Sequence, residues 1–479
     1  MNRWTREALR GKRVTVMGLG LFGGGTAATR FLVSHGAHVI VTDQRDAPAL
    51  RESIAALGDL PAGSVEYHLG GHDLADFTNV DVVVANPAVA PSSPYLQAAR
   101  QAGVAITSEF ELFVHLCTAR DVVAITGTNG KTTTTTLIGQ VLTESRPRVF
   151  VGGNLGRSLL ESLAVIEPDD TVVLEVSSFQ LEALDAPIGW PRVAVVTNLS
   201  PDHLDRHGTM ESYGAAKRRI VERMTSECTA VLNASDRWTA PFSKATQAEV
   251  RWYSSSDPVE YRRSIRGGEP WLEEHRAGHI EPLIPTAEIQ VPGEFQLANV
   301  LAAAAATRAL GVPATKFREV ARNFRGVAHR LQRLEAVGGV EVFDNAVSTV
   351  PESTISALSA LTGPLRWIAG GKSKQLDLEE LVTTAKRRVR HVYAYGAAAN
   401  ELAAAATRVG LPVSTFGRLS EAFAACLADA RQGETVLYSP AFPSYDQYRN
   451  FTERGAEFLR LVEAARQGLP RGEASASGA

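Results

Sequence analysis

Lys131 stands directly behind Gly130 in the run Gly127-Thr128-Asn129-Gly130-Lys131-Thr132, followed by a further hydroxyl at Thr133. The run lies between a β-branched segment and a helical one. Glycines so spaced let backbone N–H groups cradle a polyphosphate, while the lysine neutralises β/γ oxygens and the threonine hydroxyl reaches a magnesium ion. Ile125 occupies the place of the first glycine of the full pattern, so this is a shortened form. A cation at the mouth of a buried strand needs an anionic partner, which favours an ATP site over a bare turn.

Two further segments bring acid and imidazole groups to strand ends. Glu175-Val-Ser177-Ser-Phe-Gln180 begins with a carboxylate, and Thr197-Asn198-Leu-Ser-Pro-Asp202-His203-Leu-Asp205-Arg206-His207 carries both types. The crevice beyond the carboxyl ends of parallel strands is where open α/β sheets bind ligands. Such groups suit Mg²⁺ or its waters. Each segment alone is equally compatible with a capping or core-polar arrangement.

A second glycine pattern precedes these. Gly18-Leu19-Gly20-Leu-Phe-Gly23 fits G-x-G-x-x-G, and Asp43 follows 20 residues after Gly23, where a ribose-binding acid belongs. The pattern points to a nucleotide diphosphate at a helix N-terminus. It does not separate a nicotinamide dinucleotide from a UDP-sugar, since each presents a pyrophosphate beside a ribose. A ligand-free strand-helix turn is the third possibility.

The elements that must hold these loops alternate between short β-branched runs and Ala/Leu-rich helical segments. Arg13 to Met17 reads as a strand, Gly24 to His35 as a helix, and His38 to Thr42 and Val80 to Ala85 as strands. The rhythm restarts at Asp121 to Thr126, Thr171 to Glu175 and Val193 to Thr197. It restarts again at Val340 to Phe343, Trp367 to Ala369, His391 to Tyr395 and Thr435 to Tyr438. This is the signature of parallel sheets covered by helices. The polar stretch Ser254 to Glu281 reads as a solvated β-hairpin region, and Phe295 to Leu310 as an alanine-rich helix. No fixed-period repeat is present. The Gly468 tail, small and polar, reads as disordered. Breaks near 110 and 326 give three α/β domains, 1–110, 111–326 and 327–479.

Length alone supports that division: the chain has 479 residues, too many for one ordinary domain. With 49 Lys plus Arg against 52 Asp plus Glu, the net charge is −3, which gives no basis for nucleic-acid or membrane-surface binding. Cys117, Cys228 and Cys426 share no metal or redox spacing and read as buried, inert thiols of a reducing compartment. The charged N-terminus has no apolar signal core, and no apolar run is long enough to span a bilayer. A cytoplasmic location is expected.

The motifs GTNGKTT, EVSSFQLE (175–182) and TNLSPDHLDRH, in this order, resemble the ATP-site motifs of the Mur ligases, the ATP-dependent amide-forming enzymes of peptidoglycan synthesis. Tyr213-Gly-Ala-Ala-Lys217 is similar to the family segment whose lysine becomes carbamoylated. The run from Tyr438 through Ser444 and Phe451 to Gly455 is similar to the branch that adds glutamate. The resemblance extends over nearly the whole chain.

It implies a Rossmann-like N-terminal domain for the UDP of the substrate, a central P-loop ATPase domain with a mainly parallel sheet, and a C-terminal Rossmann-like domain. It implies addition of D-glutamate to UDP-N-acetylmuramoyl-L-alanine through an acyl phosphate, with no nicotinamide, by a protein expected to be a monomer. By resemblance Gly18, Leu19, Gly20, Asp43 and Arg45 face uracil, ribose or diphosphate, while Asn154, Ser177 and Gln180 meet the muramoyl-alanyl arm or phosphates. Gly127 to Thr133 take ATP together with Asn299, Arg330 and Asp344. Thr132 and Glu175 hold one Mg²⁺; His203 and a carbamoylated Lys217 hold a second. Lys131, His203 and Lys217 are the expected catalytic groups. Thr349, Lys374, Ser444 and Phe451 take the incoming glutamate.

Two segments depart from the family pattern. G-x-H-N-x-x-N reads Gly293-Glu-Phe295-Gln296-Leu-Ala-Asn299, and N-D-S-K-A-T reads Asp344-Asn-Ala-Val347-Ser-Thr349. The second loses a lysine and exchanges the acid and amide. These changes bear on adenine packing and on the glutamate enantiomer. A nicotinamide dehydrogenase would leave Lys131, Glu175 and His203 without a role. Other ligases of the group, and an inactive UDP-sugar-binding module, remain as rivals that turnover would separate.

Overall fold

The computed structural model describes residues 4–21, 23–155, 158–373 and 377–468, so Lys374 and all but the first residue of the Gly468 tail lie outside the described residues. The chain forms two compact units, Met1–Thr286 with Leu297–Ala321, and Ala287–Gln296 with Arg322–Ala479.

The first unit contains two sheets. One has five parallel strands in the spatial order Val65–Leu69, His38–Asp43, Arg13–Met17, Val82–Ala85, Ala105–Thr107. The order reverses at Arg13–Met17, so the loop that follows it, Gly18 to Gly23, opens at the switch point of the sheet. The helix Gly24–Ser34 starts immediately beyond.

The other sheet has nine strands. Asp121–Thr126 lies between Val193–Val196 and Thr171–Glu175, all parallel. The loops leaving these three strands therefore meet at one edge: Gly127 to Lys131, Glu175 to Gln180, and Thr197 to His207. Val122, Val123, Ala124 and Ile125 are all buried, because helices cover both faces of the sheet. The helix Lys131–Thr143 carries the phosphate loop at its start.

The stretch expected to be a solvated hairpin is three strands, Tyr261–Arg266, Glu269–Arg276 and His279–Pro285, joined antiparallel. It is solvated only in part. Tyr261 and Arg262 pair in parallel with Tyr253 and Ser254, which continues the nine-stranded sheet and buries Tyr261, Leu272, Leu283 and Ile284. Arg318 of the helix Ala314–Ala321 packs against these strands, its guanidinium 5.1 Å from the Trp271 ring and bonded to the Leu283 carbonyl at 2.7 Å.

The second unit holds six strands in the order Gln332–Arg333, Glu341–Asp344, Thr435–Ala441, Leu365–Gly370, Val389–Tyr395, Val413–Phe416. Only the first pairing is antiparallel. Because Thr435–Ala441 runs between Glu341–Asp344 and Leu365–Gly370, the segments after all three converge at their carboxyl ends. Cys228 and Cys426 are buried as expected, but Cys117 is only half-buried, lying at the exposed end of the helix Glu109–Leu116. Burial pushes the thiols of Cys117 and Cys426 up, which disfavours the reactive thiolate. Among the described residues no helix is long and apolar enough to cross a membrane.

Candidate active site

The phosphate loop is fastened to its neighbour strand by backbone and amide bonds. The Thr128 N–H donates to the Asn198 carbonyl at 2.7 Å, and the Asn129 N–H to Asn198 Oδ1 at 3.0 Å. Asn198 Nδ2 returns a bond to the Asn129 carbonyl at 3.0 Å. Asn198 therefore shapes the loop, a role unassigned from sequence although the residue lies inside a quoted motif. Gly130 caps the helix at φ 82°, and a Cβ there would sit 2.2 Å from Asn299 Oδ1. Only glycine fits both the left-handed backbone and that approach. Asn299, 5% exposed, thus backs the phosphate loop itself.

Lys131 Nζ donates to the Gly127 carbonyl at 2.9 Å and the Thr128 carbonyl at 2.7 Å, so the ammonium lies over the loop mouth. Thr132 Oγ1 donates to Glu175 Oε2 at 2.7 Å, and Asn154 Nδ2 donates to Glu175 Oε1 at 2.9 Å. Sheet order brings Thr132, Asn154 and Glu175 together. Ser177 and Gln180 instead form a reciprocal N-cap for the helix Ser178–Ala183, each side chain bonding the other's backbone N–H.

Lys217 is 1% exposed and donates to the Gly127 carbonyl at 2.8 Å, with its ammonium 4.8 Å from the Tyr213 ring. Burial, then the nearby Lys131 charge, lowers its pKa to about 6. The Tyr213 hydroxyl meets Thr128 Oγ1 at 3.1 Å, and burial pushes that phenol up to about 12. His203 adopts φ 52°, uncommon for a non-glycine residue, with its ring 4.8 Å from Phe179 and its Nε2 3.5 Å from Asp202 Oδ2. Backbone strain of this kind collects at functional sites. Arg206 ties the same segment to the five-stranded sheet through the Ala88 and Val89 carbonyls, at 3.0 and 3.1 Å. It lines a cleft of about 480 Å³ together with Asn86, Phe179 and Glu182.

At the first glycine loop the Asp43 carboxylate accepts the Gly20 N–H at 3.0 Å and the Arg45 N–H at 2.9 Å, drawing the two strand-end loops together. The Arg45 side chain is exposed. The Leu19 side chain is fully buried in the hydrophobic core, which leaves its backbone to face a ligand. Beside this loop Gly70, Gly71, His72, Tyr67 and Tyr95 line a cavity of about 850 Å³. Thr42 Oγ1 meets His72 Nδ1 at 2.7 Å. The Gly70-Gly71 pair directly after a strand was the signal available in the sequence.

In the second unit Asp344 is fully buried. One carboxylate oxygen meets His329 Nδ1 at 2.7 Å and the other accepts the Ala346 N–H at 2.9 Å. Asn345 accepts the Leu331 N–H at 3.1 Å and donates to Ser439 Oγ at 3.0 Å. The exchanged acid and amide are thereby accounted for, since each fits the partner it meets. His329 and Leu331 both have positive φ, and they flank the exposed Arg330. Thr349 is half-buried, Ser444 2% exposed and Phe451 38% exposed.

Gly455 presses on His329: a Cβ there would lie 2.3 Å from Nδ1. Gly455→Ala should therefore disrupt the His329–Asp344 bond and lower unfolding free energy by about 1–3 kcal/mol. Urea denaturation would measure this, and an unchanged midpoint would show that the histidine yields freely.

The donor set suits magnesium. Mg²⁺ takes oxygen ligands, typically one or two carboxylates completed by water and phosphate, and Glu175 with Thr132 offers such a pair beside a glycine cradle. Among the described residues no cluster of three or more His, Cys, Asp or Glu forms a closed metal site.

Comparison with known proteins agrees with this architecture. Family models match in chain order: the Mur ligase MurD-like N-terminal domain at residues 12–108, the Mur ligase middle domain at 125–307, and the Mur ligase glutamate ligase domain at 329–442. The chain belongs to the Mur ligase family. Within it, the chain is 38% identical to a protein of Roseiflexus sp. (strain RS-1) named UDP-N-acetylmuramoylalanine--D-glutamate ligase, over 95% of this chain and 99% of that one. A protein of the same name from Geobacter metallireducens is also 38% identical, over 95% and 98%. Among solved structures, the UDP-N-acetylmuramate-alanine ligase of Thermotoga maritima superposes with a TM-score of 0.58 at 19% identity, covering 95% of this chain and all of that one. E. coli FolC has a TM-score of 0.54 at 21% identity, covering 74% and 92%. Both share the fold.

Proposed function

We propose that this protein is an ATP-dependent ligase of peptidoglycan precursor synthesis, joining D-glutamate to UDP-N-acetylmuramoyl-L-alanine in the cytoplasm. The observation that carries the reading is the meeting of Lys131, Thr132, Glu175 and Lys217 around one glycine-capped helix start. Relatives of the same name, matching nearly end to end, support the choice of substrates.

A carboxylate is a poor electrophile because its leaving group is oxide. An oxygen of the L-alanyl carboxylate attacks the γ-phosphorus of ATP, the bond to the β-phosphate oxygen breaks, and ADP leaves. The glutamate amine then attacks the acyl carbon, the amide forms, inorganic phosphate departs, and the amine proton passes to solvent. Lys131 and the loop N–H groups stabilise the charge that crowds onto the transferring phosphoryl group. Thr132 and Glu175 would hold one Mg²⁺, and His203 with a carbamoylated Lys217 a second. Ions held by those residues would supply charge neutralisation for the phosphate oxygens. The neutral Lys217 amine adds to CO₂ and loses a proton, which converts a buried amine into an oxygen ligand. Gly18, Gly20 and the Leu19 backbone, with Asp43 behind them, take the UDP handle.

The direct test is phosphate release with the UDP substrate, Mg-ATP, and either D- or L-glutamate, with the product weighed by mass spectrometry. Turnover with D-glutamate alone is expected. Turnover with L-glutamate alone would overturn the enantiomer, and silence with both would overturn the ligase.

A further inference from the structure

The last helix, Phe451–Arg466, is capped by Asn450 and carries Arg454 in its first turn. Arg454 has no measurable exposure. One terminal nitrogen donates to the Phe442 carbonyl at 2.8 Å and to the Gly370 carbonyl at 3.4 Å. The other donates to the carbonyls of Ala346 at 3.0 Å and Ser348 at 3.4 Å, while Nε has no partner. Among the described residues the guanidinium meets these four carbonyls and no carboxylate.

Such an arrangement is not built for stability. An arginine stays charged, and burying a charge without a counter-ion costs several kcal/mol that carbonyl dipoles only partly offset. An apolar side chain of the same volume would pack there at less cost. What the planar fork does is reach three separate segments at once. They are the ends of three strands lying side by side: Glu341–Asp344, Leu365–Gly370 and Thr435–Ala441. The backbone makes room for it, since a Cβ on Gly371 would stand 3.0 Å from the guanidinium. The residues the family resemblance assigns to the incoming amino acid flank these anchor points. Thr349 follows Ser348, Ser444 lies two residues beyond Phe442, and Phe451 lies one helical turn before Arg454.

We propose that Arg454 is the positioning residue of the amino-acid site: it laces the three strand-end segments into the one arrangement that receives the acidic substrate. It does so without touching that substrate. The proposal rests on the ligase reading above.

The test compares KM for D-glutamate, ATP and the UDP substrate in the wild type, Arg454→Lys and Arg454→Ala. Lysine keeps the charge and loses the fork, so the glutamate KM should rise roughly ten- to a hundredfold, the scale of a misplacement of about 1 Å. The KM for the UDP substrate should stay within about twofold, because its glycine loop belongs to another sheet. Millimolar guanidinium should restore the glutamate KM of Arg454→Ala, which a role confined to stability would not produce. A folded Arg454→Lys with unchanged glutamate KM, an equal rise in all three constants, or no response to guanidinium would each overturn the assignment. Should neither variant fold, amide exchange in the native protein decides. Residues 346–349, 370–371 and 442–444 should gain protection together with D-glutamate, and protection of one segment alone would refute the lacing. Absence of wild-type turnover with D-glutamate would overturn the ligase reading and this proposal with it. Normal wild-type turnover beside an unchanged variant KM would overturn Arg454 alone.

Discussion

Lys131→Ala should abolish turnover while leaving the UDP substrate bound. Removing one preorganised donor from a developing oxyanion costs about a hundred- to a thousandfold in kcat, and Lys131 holds its ammonium on the Gly127 and Thr128 carbonyls of the phosphate loop. The loop should keep its form without the ammonium. Asn198 holds Thr128 and Asn129 through three bonds that the substitution leaves intact. The first glycine loop lies on a different sheet, tied by Asp43 rather than by any part of the second loop. Calorimetric titration of the UDP substrate into the variant should therefore give a Kd within about twofold of the wild type, as distant independent sites do. A folded variant that loses both to the same degree would contradict the division of labour between the loops.

Lys217→Ala should lose at least about a hundredfold in kcat, with part of it restored by a short-chain carboxylic acid. The cavity left by the side chain lies beside the Gly127 carbonyl and the Tyr213 ring, and a small carboxylate there would supply the oxygen ligand that the proposed carbamate would provide. No restoration in a folded variant would count against carbamoylation. The pH dependence follows from the lowered pKa of about 6. Above it the amine is neutral and can add to CO₂; below it the amine is protonated and cannot. Activity should fall as pH drops through about 6, and added bicarbonate should not restore it below that point.

The same shift has a stability consequence. The folded pKa lies below the unfolded value, so the unfolded chain holds the extra proton from about 6 upward to the ordinary lysine range. The unmodified lysine therefore opposes folding at neutral pH, less so as pH rises. Lys217→Met should melt higher than the wild type at neutral pH while turning over nothing. A lower melting temperature would mean that the lysine bonds outweigh its burial.

Much of the catalytic edge was legible because its chemistry is local. A phosphate loop is a strand end, a few glycines and a helix start, all contiguous, so Gly127 to Thr132 and Gly18 to Gly23 could be read by spacing. Glu175 and Asp43 were legible for a related reason: each is an acid at the last position of a β-branched run. The Ser254 to Glu281 stretch misled because its polar residues are real, while the two-residue parallel junction that ties it to the larger sheet has no local signature.

What the chain order alone determined, then, was the set of strand-end loops, their chemistry and their sequence along three α/β regions, since periodicity and turn residues act over a few neighbours. Which loops meet was decided by strand order. Asn198 reaches Asn129 because Val193–Val196 lies beside Asp121–Thr126, although some seventy residues separate the two loops. His329 finds Asp344 and Gly455, and Arg454 finds the carbonyls of 346, 348, 370 and 442, only when the six-stranded sheet and its last helix pack. Those contacts arise from burial and from the need of each interior polar group for a partner, and such partners are chosen across the fold rather than along the chain.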